Sequence, residues 1–192
     1  YETFWYFNYA NLKRHNLSFH AFGTNTNVMK ATECKKEYDN IFVGAIIAHK
    51  NPLQILKQQG TNICIGNVCD ESIATKLKEN NTIVENFVDY SSLALKYNQS
   101  KKCFLPCSLH GGGERAVLEA RACNIEVEIY NNNAKLKELL ISPIYDQNYY
   151  SSQILLGLNK LFNKQYQKQT INLIYHKDAK GHGNFGDEIS KY

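Results

Sequence analysis

Between Tyr38 and Leu140 the chain alternates short apolar runs with helix-forming stretches, and that alternation restricts the fold more than any other feature. Ile41-Phe-Val-Gly-Ala-Ile-Ile47 is a continuous apolar run, as expected of a strand covered on both faces. Pro52 then opens a helix at its favoured first position, with Leu53, Ile55 and Leu56 on one side. Asn62–Gly66 predicts a second strand, and Asp70–Glu79 a helix capped by Asp70. Thr82–Val88, Cys103–Pro106 and Ile125–Tyr130 complete the strands; Tyr90–Gln99, Glu114–Cys123 and Ala134–Leu140 complete the helices. This spacing demands right-handed crossovers, and so an α/β, doubly wound, mainly parallel, Rossmann-like sheet flanked by helices. Ligands of such sheets bind outside the carboxyl ends of the strands. The turns after Val43-Gly44 and after Phe104-Leu105 both lie on that rim.

One of those turns carries the chemistry. Leu105-Pro-Cys-Ser-Leu-His-Gly-Gly-Gly-Glu-Arg-Ala-Val-Leu-Glu-Ala-Arg-Ala-Cys123 runs from a strand through three glycines into a helix holding a lone acid, Glu119, among Ala, Val and Leu. A glycine turn lets backbone approach a phosphate, and the first N–H groups of the helix face the anion. A carboxylate further along accepts hydrogen bonds from both hydroxyls of a ribose. The pattern suits a nucleotide-sugar pocket.

Composition sets the bounds. With 192 residues, 43% of them hydrophobic, the chain is long enough for one sizeable core. A net charge of +4, thinly scattered, gives no case for a nucleic-acid partner. No stretch of roughly eighteen apolar residues is present, so no integral membrane segment is expected. Six cysteines without a Cys-x-x-Cys pair read as reduced, structural residues of a cytoplasmic protein, free or held at a membrane surface.

The flanks read differently. Residues 1–27, crowded with aromatics, look like the end of a preceding domain and a connector; residues 28–164 are the expected nucleotide-sugar-binding domain; residues 165–192 are an extension or the start of another domain. The opening on Tyr1 rather than Met makes the chain read as a piece of a longer protein. Asn148–Lys164 predicts a long amphipathic helix and Thr170–Tyr175 a further strand. Gly181-His-Gly-Asn-Phe-Gly186 matches a dinucleotide fingerprint on paper but lacks the following helix and downstream acid.

Four segments resemble the C-terminal, donor-binding domain of GT-B glycosyltransferases, in particular the large retaining family 4. Phe22–Val28 is similar to the loop entering that domain, and Tyr38–Lys50 to its first strand, with Lys50 at the place of a phosphate-contacting lysine. Leu105–Ser108 with the glycine turn and Leu118-Glu119-Ala120 resembles the segment bearing a glutamate pair. Tyr145-Asp146 and the helix to Leu161 resemble the closing helix. Two positions depart from the pattern: Gly111 stands where the first glutamate would fall, eight positions before Glu119, and Ala45 replaces a common basic residue. Asn184-Phe-Gly-Asp-Glu188 is similar to the opening of polysaccharide pyruvyl transferase domains.

The resemblance implies transfer of a sugar from a nucleoside-diphosphate donor to a glycan or other acceptor, completed by an N-terminal acceptor domain of the same protein. The departing diphosphate gathers negative charge that fixed positive groups and helix-end amides must answer. Lys50 and Arg115 are the candidate catalytic residues. Gly44, His110, Gly111, Gly112, Gly113, Glu114 and Glu119 are the candidate donor-binding residues. No Asp-x-Asp motif occurs, so a metal-free reaction without cofactor is expected. The alternative is a degenerate, non-catalytic module of the same fold. An NAD enzyme is disfavoured because the first strand lacks a glycine fingerprint.

Overall fold

The computed structural model describes residues 23–108, 111–129 and 133–144, with 146, 148, 149, 152 and 155. All but Leu155 fall in one compact unit, His20–Ser152. Its strands are β1 (Tyr38–Val43), β2 (Asn62–Ile65), β3 (Ile83–Glu85), β4 (Ser100–Leu105) and β5 (Glu126–Ile129). They form a parallel sheet in the order β3-β2-β1-β4-β5. Helices α1 (Glu71–Glu79), α2 (Tyr90–Asn98), α3 (Glu114–Ala122) and α4 (Ala134–Ile141) connect or follow these strands. The doubly wound α/β class expected from the sequence is the class observed.

The sheet centre explains why the strands read as unbroken apolar runs. Ile41 lies in register with Ile63 on one side and Cys103 on the other, and all three are fully buried. Their neighbours Phe42 and Cys64, which face the opposite side of the sheet, are fully buried too. Both faces are covered, as a parallel sheet with crossover helices requires. Burial in this setting pushes the Cys64 thiol up to about 12. Cys103, Cys107 and Cys123 are likewise buried and unbridged, whereas Cys69 is exposed.

Helix starts follow local chemistry closely. Asp70 Oδ1 accepts from the N–H groups of Ser72 and Ile73, and Asp89 Oδ1 from those of Ser91 and Ser92. These short acids satisfy amides that the first helical turn leaves unpaired.

Three expectations about elements need correction. Strand β1 stops at Val43, not Ile47: past Gly44 the chain leaves the sheet, and Ile46 pairs only with Val68 in an isolated bridge. The helix expected from Pro52 is instead a short 3-10 segment, Pro52–Lys57, preceded by a 3-10 turn at Ala48–Lys50. Asn51 interrupts them in the left-handed region, φ 54°, and only Pro52 and Ile55 of the second turn are buried, too few to hold a longer helix. Strand β4 begins at Ser100, ahead of the apolar run, where Ser100 pairs in register with Tyr38 and Lys102 with Asn40 of β1; Lys101 and Lys102 also form ion pairs with Asp39 and Glu128 on the flanking strands. The helix from Asn148, the strand from Thr170 and both terminal flanks lie mostly outside the described residues.

A buried amide pair ties β1, β2 and the second 3-10 turn together. Asn40 Nδ2 donates to Asn62 Oδ1 at 2.8 Å and to Gln59 O at 2.9 Å, while Asn62 Nδ2 donates to Ile55 O at 3.2 Å. Asn40→Ala strands the Asn62 acceptor in the core, so a loss of about 1–3 kcal/mol is expected in urea denaturation, without change of fold by circular dichroism.

Candidate functional site

The site is built where strand order reverses. Successive connections from β1 run toward β2 and β3, whereas β4 sits on the other side of β1. Their carboxyl ends therefore open side by side into the crevice where doubly wound sheets take ligands.

The turn after β4 is shaped for close approach. Gly111 N–H donates to Ser108 O at 2.8 Å. Gly112 and Gly113 then adopt φ of 78° and 102°, a region that side chains resist, and α3 starts at Glu114. Gly113 is the N-cap and offers no side chain, whereas α1, α2 and α4 are capped by Asp70, Asp89 and Asn133. Glu114, an expected donor ligand, is buried in the first turn, where a carboxylate complements the positive end of the helix.

The turn after β1 lies against it. Asn51 Nδ2 donates to Pro106 O at 3.3 Å. A Cβ on Gly111 would stand 3.0 Å from His49 O and 3.1 Å from Cys107 Cβ, so the position of the expected first glutamate is pressed by the neighbouring backbone. Lys50, half-buried, lays its Cδ 3.5 Å from where a Gly44 Cβ would be. Gly44, Lys50 and Gly111 thus gather on one rim. His110 lies outside the described residues.

Glu119, on α3, is buried against α2. It is 5% exposed and accepts from the Tyr97 hydroxyl at 3.2 Å; Tyr97 is fully buried. Tyr90, at the rim end of α2, lies near enough for its phenol to favour the Glu119 carboxylate and shares a 3.0 Å bond with Thr24 Oγ1. Burial raises the Glu119 pKa despite the opposing pull of Arg115 and of the two phenols. Burial and the nearby Glu119 charge in turn push Tyr97 well above its ordinary value, so it remains a donor. Arg115 is exposed, and its charge is felt at both Glu119 and Tyr90.

The segments that enter and leave the sheet meet beside Tyr90. Thr24 bridges to Asp146 in parallel, and Thr26 Oγ1 donates to Asp146 Oδ2 at 3.1 Å. Thr24, Tyr90 and Tyr97 were not among the expected site residues. Tyr97 was legible only as an apolar helix position, and its hydroxyl finds Glu119 solely through packing of α2 on α3. Among the described residues, no group of three or more His, Cys, Asp or Glu side chains could hold a metal ion. None of the described helices is long and apolar enough to cross a membrane.

Because Glu119 has a raised folded-state pKa, the folded state holds more protons than the unfolded chain between the two values. Stability therefore falls as pH rises through that window. Glu119→Gln keeps an acceptor for Tyr97 and removes the charge. Its melting temperature is expected to exceed that of the parent by a few degrees above the window and to lose this advantage below it, in thermal melts run across pH.

Comparison with known proteins gives fold-level kinship. No protein-family model matches the chain, and no curated protein matches it. Among solved structures, AviGT4, a glycosyltransferase involved in avilamycin A biosynthesis, superposes with a TM-score of 0.54 at 12% identity, over 73% of this chain and 56% of that one. An alpha-glucosyltransferase in complex with UDP-glucose and DNA containing an abasic site gives a TM-score of 0.43 at 14% identity, over 83% of this chain and 54% of that one. The second superposition is too loose to support an argument. The chain spans little more than half the length of either neighbour. What it shares with AviGT4 is the α/β fold of a glycosyltransferase.

Proposed function

We propose that this chain is the donor-binding half of a GT-B glycosyltransferase, of the retaining, family 4-like kind, taking a nucleoside-diphosphate sugar. The observation that carries the reading is the meeting of the uncapped glycine turn with Gly44 and Lys50 at the strand-order reversal, on a fold shared with AviGT4. The diphosphate lies against the amides of Gly111–Gly113 and the start of α3, with Lys50 and Arg115 answering the charge that builds on the leaving oxygens. Glu119, reached past Tyr90, takes the ribose hydroxyls. Fixed cations do this work without a metal in the reaction proposed. The acceptor half belongs to another domain of the protein, and the place of work is the cytoplasm or the membrane surface. Asn184–Glu188 begin a pyruvyl transferase-like domain on this reading.

A second reading, a degenerate module without catalysis, is favoured by one observation: Gly111 stands at the place of the first glutamate of the pair, and a Cβ there would be crowded by His49 O at 3.0 Å. Calorimetric titration with UDP, GDP and ADP separates the two. The first reading expects one of them to bind, Lys50→Ala to weaken binding about tenfold with a reduced salt dependence, and Glu119→Gln to weaken it by a similar factor. Absence of binding by all three nucleotides removes the donor site and leaves the module.

A further inference from the structure

We infer that Asn133 is a positioning residue that sets the glycine turn from behind, acting through backbone rather than touching the donor; the functional half of this statement rests on the donor-binding reading. Asn133 lies at the head of α4, beyond β5, and is 3% exposed. Its Nδ2 donates to Cys107 O and to Ser108 O, each at 2.9 Å, while its Oδ1 accepts from Leu136 N at 3.2 Å. Both amide hydrogens and the amide oxygen are thereby engaged.

The consequence is for the carbonyls ahead of the turn. Pro106 O takes Asn51 Nδ2, Cys107 O and Ser108 O take Asn133, and Ser108 O also takes Gly111 N–H. Three successive carbonyl dipoles, each repulsive to an anion, are tied to protein donors. Leu136, in the first turn of α4, backs the same place: a Cβ on Gly113 would lie 3.3 Å from its Cδ1. The start of α4 is therefore the wall on which the turn rests.

Asn133 also caps α4, and a purely capping role is the rival. Asn133→Asp separates them. Aspartate caps as well as asparagine but has no hydrogen to give, and it sets a carboxylate against two carbonyl oxygens. Amide hydrogen exchange in the 192-residue chain is the first readout. Exchange about tenfold faster at residues 111–116, with α4 amides unchanged, is expected; unchanged exchange at 111–116 overturns the proposal whatever the chain binds.

The second readout compares a nucleoside diphosphate (UDP, GDP or ADP, whichever the parent binds) with its own nucleoside. Positioning predicts that the diphosphate loses about tenfold while the nucleoside keeps its affinity. Equal loss of both, or loss of neither, overturns it. If the parent binds none of the three, the donor reading fails by itself, and the exchange result still decides whether Asn133 holds the turn. Should Asn133→Asp not fold, Asn133→Ser, which caps but cannot span both carbonyls, carries both measurements.

Discussion

The pairing of β1 with β4 is the constraint on which the rest depends. Tyr38 is registered with Ser100 and Ile41 with Cys103, residues far apart in sequence, and everything between them must leave and return on one side of β1. Once that pairing forms, the turn after Val43 and the turn after Leu105 have nowhere to go except beside each other. The crevice follows from topology, since connections that diverge from adjacent parallel strands cannot fill the space between their own ends. Hydrophobic burial on both faces holds the register, because a one-residue slip would exchange the side chains presented to the two faces.

Glu119 is a charged group held inside the core. A carboxylate at 5% exposure is costly unless it is hydrogen-bonded, and here the Tyr97 hydroxyl, with Arg115 and Tyr90 nearby, offsets only part of the cost, so burial still raises the pKa. An ion pair would have consumed the acceptor capacity; tyrosine hydroxyls leave lone pairs on the carboxylate. The thiols of Cys103 and Cys123 lie in the same layer and are pushed up by burial and by the nearby charge.

The short 3-10 turns after β1 have a consequence for the opposite side of the crevice. A regular helix there would have carried the chain away along the sheet. Two tight turns joined at Asn51 instead hold His49 O against Gly111 and Asn51 Nδ2 against Pro106 O. The bare glycine at 111 and the short 3-10 turns are two sides of one packing arrangement. A side chain at position 111 and this path of residues 48–51 compete for the same volume.

The sequence by itself determined the layers, the glycine turn and most helix boundaries, for local reasons. Apolar runs bounded by polar turns mark buried strands, Asp70 and Asp89 mark helix starts, and three glycines before Glu114 mark a turn that other residues resist. It also placed Gly44, Lys50, Gly111 and Glu119 on two segments expected to converge. Tertiary structure alone decided what each meets. That Tyr97 meets Glu119, that His49 occupies the place beside Gly111, and that Asn133 holds carbonyls 25 and 26 residues back are facts about which elements pack together. A hydrogen bond between α2 and α3, or between α4 and the β4 turn, leaves no trace in periodicity or capping chemistry, because neither partner needs the other until the sheet has set their distance.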